Sequence, residues 1–368
     1  MRAVTLALGA GLPGSPVLTS VPGAPSADRT WALIPIVLVN PENGFGTGVK
    51  FLNRAWPGPG NSIDAHLLLT TKRQADLQVE QRHRDWLGTA WEIRSQAALS
   101  YFPESFFGAG NHPRDGDEQI YTPRGLSLKE EVRRPLGSDW HLILTGEGAW
   151  KEMDPPRDSH GNPADPSVLG RELAGYSGGF DDLWGAGVEL DNRDDDRLPS
   201  RGWHAGHWTG HSLASGRYAY GALETWVAAY AVPAEDWEVA AKVFQRTVSG
   251  EPPFYALPYL GDKRLLRGIP GKRLRDRSVQ AAQAEARWGF RLALPGVATY
   301  LGDSWQLAAF AGVGRVGPDF AAASLESPHP SGGLGGRLIL GKRLGAIRGD
   351  VGFSGFGLGI YIDFNQAF

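Results

Sequence analysis

The chain of 368 residues contains no cysteine, which excludes a disulfide framework and thiolate chemistry. Beyond the first thirty positions it also lacks any apolar run approaching the roughly 18 residues that a membrane-crossing helix needs. A basic surplus is missing too, because 37 Lys and Arg face 40 Asp and Glu, whereas nucleic-acid binders usually carry excess positive charge. These absences exclude a helical membrane protein and predict no nucleic-acid partner, but they leave membrane crossing by strands open.

The first 27 residues differ in composition from the rest of the chain. A single basic residue and an apolar patch over 3–8 are followed by a stretch rich in Pro and Gly that ends before Asp28. This order resembles an export signal with a poor apolar core, and a disordered leader would have the same composition. We therefore predict a leader or export signal over 1–27 and one folded domain over 28–368.

The chain ends on the strictly alternating stretch GLGIYIDFNQAF. Leu358 and Ile360 fall on one face of this stretch, and Tyr361 and Asp363 fall on the other. A period of two is typical of a strand with one apolar and one polar face. Similar segments recur upstream, with polar faces too charged for a soluble core. A soluble β-sandwich also alternates, so the period alone does not distinguish the two classes.

Three further features favour a transmembrane barrel. Glycine lies inside several strands, where barrel curvature can use it. Connections alternate between tight turns and long loops, as in outer-membrane barrels. Tryptophan gathers at strand ends, as in the aromatic girdles of the membrane interfaces. The tryptophans concerned are Trp31, Trp56, Trp86, Trp91, Trp140, Trp150, Trp203, Trp237 and Trp305.

Counting the alternating segments gives sixteen strands, an even number that places both termini at the same end. The predicted strands span 31–39, 44–54, 62–73, 75–86, 90–102, 121–134, 139–151, 183–191, 202–213, 218–231, 236–248, 278–293, 305–315, 333–342, 345–353 and 357–368. The predicted fold class is therefore all-β, a transmembrane antiparallel β-barrel of about sixteen strands.

The long loop over 251–278, EPPFYALPYLGDKRLLRGIPGKRLRDRS, is rich in aromatic residues, prolines and arginines and can therefore pack and form ion pairs. Its segment LLRGIPGKRLRDR resembles the inward-folded sixth extracellular loop of the BamA/TamA family of outer-membrane proteins, also called the bacterial surface antigen family. PENGFGTGVKF, DNRDDDRLPSRGW, AQAEARW and the closing hairpin RGDVGFSGFGLGIYIDFNQAF resemble further parts of that family in the same order. The resemblance covers 31–368 and implies a loop folded into the lumen.

The resemblance also implies which residues hold this loop. Its lumen motif corresponds to Leu266, Arg267, Gly268 and Ile269. The family usually has an aromatic residue where Ile269 lies, and often an aspartate where Gly312 lies. We therefore expect Glu285, which projects inward from the strand after the loop, to hold Arg267, since a guanidinium and a carboxylate can form two parallel hydrogen bonds that would fix the loop within the lumen. The alternative is a solvated Arg267 in a wet loop.

The last strand and the first strand carry the other two predicted sites. By resemblance, Tyr361, Phe364 and Phe368 form a C-terminal signal that the outer-membrane assembly machinery captures by strand addition. An ordinary lipid-facing last strand is the alternative. Pro35 cannot donate a ladder hydrogen bond, so it weakens the seam between first and last strands if 31–39 is strand one. A bulge, or a segment outside the barrel, is the alternative there.

The polar residues are not arranged for bond-making chemistry, and we predict no enzyme, no cofactor and no metal site. His207 and His211 share a strand face but lie roughly 13 Å apart, too far for one metal ion. His211 and Ser212 point to opposite faces, so they cannot form a nucleophile–base pair. The acidic run 191–196 can bind calcium or form a solvated turn, and we favour the turn.

The resemblance implies an integral barrel in the outer membrane of a Gram-negative-type bacterium, without the POTRA domains that usually precede such barrels. It implies a role in membrane-protein insertion or polypeptide translocation. The expected partners are outer-membrane lipid, the assembly machinery during biogenesis and client polypeptides. Because a fold does not fix a function, a passive pore or a structural barrel is the alternative.

Overall fold

The computed structural model describes residues 30–40, 44–164, 174–213, 217–294, 302–341, 345–364 and 366–368. The predicted leader over 1–27 lies outside these residues. Within them, no helix has the length and apolar character required to cross a membrane.

The described chain consists mainly of antiparallel strands, because alternating segments are separated by turn-forming Gly, Pro, Asp and Asn. The strands are β1 (Trp31–Asn40), β2 (Gly44–Asn53), β3 (Ser62–Thr70), β4 (Ala75–His83), β5 (Glu92–Tyr101), β6 (Glu104–Phe106), β7 (Gln119–Pro135), β8 (Trp140–Asp158), β9 (Gly179–Asp191), β10 (Gly202–His211), β11 (Tyr220–Ala234), β12 (Trp237–Gly250), β13 (Tyr259–Leu260), β14 (Leu274–Arg275), β15 (Ser278–Arg291), β16 (Ser304–Gly317), β17 (His329–Gly341), β18 (Gly345–Ser354) and β19 (Gly357–Phe364). The helical segments are an α-helix at Phe320–Leu325 and 3-10 turns at Trp86–Gly88, Asp115–Asp117 and Phe254–Ala256.

Sixteen of these strands form the barrel wall, and each pairs antiparallel with its neighbour in the order β1 to β5, β7 to β12 and β15 to β19. The short β6 pairs only with the start of β7, and β13 pairs with β14 inside a loop. The predicted fold class is confirmed. β7 and β8 are longer than expected, with 17 and 19 residues, and β8 continues beyond the predicted strand over 139–151 to Asp158.

The first and last wall strands form a seam that differs from the rest of the wall. β1 and β19 lie side by side, with Cα atoms within 8 Å of each other. Among the described residues no hydrogen-bonded ladder joins them, whereas all the other neighbouring wall strands are joined by one. The wall therefore closes at this seam by proximity rather than by continuous main-chain hydrogen bonding.

The strand faces separate an apolar outside from a polar inside. On β12, Val239 and Val243 are exposed on the outer surface, whereas Lys242 and Arg246 point into the lumen. Trp140 and Trp150 are both exposed on the outer face of β8. Ten residues of a strand tilted by about 45° span about 23 Å along the barrel axis, close to the apolar band of about 25 Å on outer-membrane barrels. The two tryptophans therefore mark the two edges of that band.

We expect Val243→Arg to lower the free energy of unfolding by about 2–4 kcal/mol in phospholipid vesicles, because it places a charge near the middle of the lipid-facing surface. Val243 is 59% exposed and is flanked by strands on both sides. Leu325→Arg is the control, since Leu325 is 89% exposed on the loop helix and its replacement should change stability by less than about 0.5 kcal/mol. Equal effects in denaturant titrations would contradict an outer face in lipid.

Candidate functional site in the barrel lumen

The sixth loop, L6 (251–277), connects β12 to β15 and folds into the barrel. The β13–β14 ladder gives it internal order, and its apolar side chains pack with residues of the wall. This apolar cluster consists of Leu260, Leu266, Ile269, Leu274, Val279, Ala281 and Val316. L6 is thus a folded element with its own packed contact to β15 and β16.

Arg267 lies at the tip of L6 and is 1% exposed. Its Nη1 donates to Oδ2 of Asp350 at 2.6 Å, and its Nη2 donates to Oε2 of Glu285. The centre of the guanidinium group lies 3.6 Å above the ring centroid of Phe310. The three partners come from β18, β15 and β16. One loop side chain therefore bridges three wall strands by two charge-assisted hydrogen bonds and a cation–π contact.

Arg267 belongs to a larger set of buried ions, the lumen cluster, formed by Arg267, Glu285, Arg287, Arg337, Arg348 and Asp350. Arg337 connects both carboxylates, with Nη2 at 3.0 Å from Glu285 and Nη1 at 2.6 Å from Asp350. Nε of Arg287 lies 2.8 Å from Glu285. All six side chains are at most 1% exposed. Removing one member of a buried ion pair typically costs about 3–5 kcal/mol, because the remaining charge is left uncompensated.

The backbone of L6 also touches the wall at Gly268. Its N–H donates to Oη of Tyr361 at 3.0 Å, and its carbonyl accepts from Oγ of Ser354 at 2.7 Å. The φ angle of Gly268 is +106°, and a Cβ atom there would lie 2.6 Å from the backbone nitrogen of Phe353. Only glycine fits this position without strain, because it allows both the positive φ and the close approach.

Leu266 and Ile269 are both buried, on either side of the Arg267–Gly268 pair. The amide of Gln283 holds the chain before this pair by accepting from the Leu266 N–H at 3.1 Å. A Cβ atom at Gly312 would lie 2.6 Å from Cδ2 of Leu266. The glycine that replaces the family's expected aspartate therefore makes room for Leu266, while Asp350 supplies a carboxylate from another strand.

A second anchor holds the part of L6 that follows Arg267 and leads back to β15. Glu104 on β6 pairs with Nζ of Lys272 and lies 3.3 Å from Nη2 of Arg275. Tyr121 Oη donates to the same carboxylate at 2.5 Å. Burial alone would raise the pKa of Glu104, but Lys272 and Arg275 lower it to about 2. Burial lowers the pKa of Lys272 to about 8 despite this partner, because one carboxylate is shared between two cations.

The structure places the predicted C-terminal residues in the lumen wherever their side chains are described. Tyr361 is buried against L6, and Phe368 packs against Ala228, Tyr230 and Ala240 on the inner wall. The side chain of Phe364 lies outside the described residues. The predicted capture of this segment by an assembly machinery stays a prediction.

At the seam, the backbone of Pro35 lies in continuous register opposite Val49 of β2, so the segment is a wall strand rather than a bulge or an excluded segment. The side chain of Pro35 is not among those described. Its predicted weakening of the β1–β19 contact stays a prediction, although the missing ladder at that seam is consistent with it.

The other polar residues singled out in the sequence have local partners. His204 contacts Glu189 at 2.8 Å, and His207 contacts Thr225 on the outer face at 2.8 Å. In the acidic run, Asp194 and Asp195 accept backbone hydrogen bonds from their own turn. Among the described residues, no group of three or more His, Cys, Asp or Glu side chains is arranged to hold a metal ion.

Asp350, Arg337 and Glu104 were not identified from the sequence as members of the site. Asp350 and Arg337 lie on the inward faces of β18 and β17, and a signal for both was present. Each is a charged residue among the glycines and apolar residues of its strand, which is rare unless a partner lies opposite. Glu104 carried no such signal, because it lies in a loop strand outside the wall.

No family model and no curated protein matches this sequence. Among solved structures, the fold is similar to BamA from Haemophilus ducreyi lacking POTRA domains 1–3, with a TM-score of 0.63 and 12% identity over 90% of this chain and 69% of that one. It is also similar to CdiB from Acinetobacter baumannii, with a TM-score of 0.58 and 11% identity over 92% of this chain and 60% of that one. For CdiB from Escherichia coli the values are 0.63 and 7%, over 91% and 62%.

The protein is therefore a barrel of the BamA and CdiB type in its fold. At 7–12% identity these similarities establish the fold alone. The resemblance read from the sequence is confirmed at that level. This chain spans about three fifths of the length of the CdiB structures.

We expect Arg267→Ala to lower the free energy of unfolding by about 3 kcal/mol, at the lower end for a broken buried pair, because Arg287 and Arg337 still face the carboxylates. It should also make L6 sensitive to added protease. Arg264→Ala is the matched control in the same loop, since Arg264 is exposed and its loss should cost less than about 0.5 kcal/mol. Denaturant unfolding in detergent measures both values, and equal costs would contradict the anchor.

The second anchor makes a prediction about acid. A carboxyl group with a depressed pKa stabilises the fold above its unfolded value, and that contribution is lost as the pH falls towards the folded value. For Glu104 this window runs from 4.5 to about 2, and the loss is about 3 kcal/mol. The stability difference between the wild type and Glu104→Gln should therefore be largest above pH 5 and vanish near pH 2. A difference independent of pH would contradict the pairing.

Proposed function

We propose that this chain is an outer-membrane barrel that assists the insertion or translocation of polypeptides through its β1–β19 seam, with L6 as the element that closes and organises the lumen. The observation that carries the proposal is the seam itself. Fifteen neighbouring pairs of wall strands have hydrogen-bonded ladders in the described residues, and only the pair β1–β19 lacks one.

An unpaired edge is a template for another strand. Where no ladder joins two neighbouring strands, an incoming strand can form main-chain hydrogen bonds with their edges by strand addition. In lipid this tendency is stronger, because no water is available to solvate unpaired backbone groups. A seam that is close but not laddered can therefore separate without breaking a row of main-chain hydrogen bonds.

The alternative, a passive pore, requires an open lumen. L6 crosses the lumen between two anchors, one at Arg267 and the other at Glu104, and both involve buried charges. Such a loop blocks the free diffusion of solutes through the lumen. Moving the loop aside would separate buried ion pairs, which is costly because water does not solvate the separated charges. This arrangement supports the insertase or translocase function over the passive pore.

The location and the partners follow from the same proposal. The barrel lies in the outer membrane of a Gram-negative-type bacterium, with lipid against the apolar band and client polypeptides at the seam. The fold similarity to BamA and CdiB supports this location, and no bond-making chemistry is part of the mechanism.

The test is to lock the seam. The chain has no cysteine, so a pair introduced at Leu33 and Ile360 can be joined with a bifunctional thiol crosslinker. Both side chains are exposed on the outer face, at 54% and 51%. The control pair is Leu33 and Phe51, which are register partners in the β1–β2 ladder. Strand insertion into liposomes by the purified barrel should fall at least about tenfold with the seam locked and should not change with the control.

Deletion of Lys263–Lys272 distinguishes the insertase or translocase function from a passive pore, with insertion again measured in liposomes. For the proposed function we expect both large currents in planar bilayers and impaired insertion, because the loop organises the lumen as well as filling it. If the deletion opens large steady currents while insertion is unchanged, the loop is a plug only and the proposal fails. Unchanged insertion with the seam locked would also contradict it.

A further inference from the structure

The last three described residues leave the wall and enter the lumen. β19 ends at Phe364, and Gln366 and Ala367 are only 7% and 3% exposed. Phe368 packs against Ala228 and Tyr230 of β11 and Ala240 of β12. β12 lies five strands from β19 along the wall, through β18, β17, β16 and β15. We call residues 366–368 the tail.

The tail is held by polar contacts as well as by the ring of Phe368. The Gln366 N–H donates to the carbonyl of Arg197 at 3.2 Å, and its Nε2 donates to Oε1 of Gln306 at 2.9 Å. Arg197 lies in the turn between β9 and β10, which reaches inward itself. The carbonyl of Pro199 in that turn accepts from Nη1 of Arg287 at 3.1 Å. The tail and this turn therefore close the end of the lumen where β1 begins and β19 ends.

One guanidinium group connects this closure to L6. Arg337 is fully buried and uses each nitrogen differently: Nε donates to Oε1 of Gln366 at 3.2 Å, Nη1 contacts Asp350 and Nη2 contacts Glu285. The same two carboxylates bind Arg267 of L6. The path from the tail to the loop tip therefore consists of one hydrogen bond followed by two ion pairs, and all its members are buried.

We infer that the docking of the tail and the docking of L6 are energetically coupled through Arg337. A guanidinium group keeps its charge when buried, so the side chain of Arg337 must stay paired with its carboxylates when they move. When Arg267 leaves, Glu285 and Asp350 draw Arg337 closer, and its Nε turns away from Gln366. When the tail leaves, the buried Nε loses its acceptor and the cluster relaxes around Arg267. Each docked segment thus stabilises the other.

The consequence is that the tail at one end of the lumen and L6 at the other end dock and undock together. A segment that displaces the tail at one end of the lumen loosens L6 towards the other end, without contacting the loop. This property goes beyond the proposed function, because it holds for a pore or an insertase alike. Coupling between two sites is reciprocal, so the effect of tail on loop equals that of loop on tail.

The test uses single thiol reporters, which the absence of native cysteine makes clean. Ile269→Cys reports on L6, since Ile269 is completely buried, and Ala367→Cys reports on the tail. When closing is faster than labelling, maleimide labelling rates measure the equilibrium fraction of molecules in which each segment is open. We expect Phe368→Ala to speed labelling at position 269 at least about fivefold. Arg267→Lys should likewise speed labelling at position 367 at least about fivefold.

Two further variants identify the connecting residue. Arg337→Gln should speed labelling at both reporters and abolish any further effect of Phe368→Ala on the loop. Arg246→Gln is the control, because Arg246 pairs with Glu224 on the inner wall without contacting the lumen cluster, and it should change neither rate. Each variant is first shown to fold by its faster gel migration before heating.

Independent behaviour would overturn the inference. If Phe368→Ala speeds labelling of the tail while labelling of L6 stays within about twofold of the parent, the two closures are separate. The same holds if Arg267→Lys leaves labelling of the tail at position 367 within about twofold of the parent. Should Arg337→Gln not fold, Phe368→Ala and Arg267→Lys alone decide, because each acts on one segment and is read at the other.

Discussion

The structure depends on one electrostatic constraint, which is that a guanidinium group cannot lose its charge inside the barrel. Arg267 can be buried only where carboxylates are present to pair with it. Glu285 and Asp350 provide these carboxylates from two different strands. Those carboxylates are themselves tolerable only beside Arg287 and Arg337. The charges of the loop and of the wall therefore depend on each other, since burying either half of the cluster without its counterpart would leave uncompensated buried charge.

This constraint explains why the glycines of the site lie where they do. For Arg267 to reach β15 and β18 at once, the loop backbone must touch the wall, and side chains would hold it away. A Cβ atom at Gly352 would lie 2.7 Å from the carbonyl carbon of Arg267, and Gly268 meets the same strand from the other side. Because the residues on both surfaces are small, the two backbones can touch, and Arg267 can reach its partners on the wall.

Much of the fold could be predicted from the sequence, because strand alternation is a local property. The outward Leu358 and Ile360 and the inward Tyr361 and Asp363 follow from a period of two alone. The position of Phe368 could not be predicted that way, because alternation assigns it to the lipid-facing side. The chain leaves the wall before that residue, and the recess that receives it is formed by β11 and β12, more than a hundred residues earlier.

The site was predictable in part for the same reason. Glu285 follows the loop on the next strand, so its inward orientation and its closeness to Arg267 follow from local geometry. Asp350, which is 83 residues from Arg267 in the chain, comes near it only when the wall curves back towards the loop. No local pattern contains that curvature. Glu104 has no local signal at all, since its cations, Lys272 and Arg275, belong to L6 and not to its own loop.

The same geometry explains how a barrel can have a rigid interior and a weak wall. Ladder hydrogen bonds hold the other wall strands to their neighbours, whereas β1 and β19 lie close together without a ladder among the described residues. β19 contributes Tyr361 to the L6 contact and continues into the tail, so its position is fixed from the lumen rather than from β1. A strand anchored on its inner face does not need its edge to be paired. The edge can therefore stay available while the barrel remains folded.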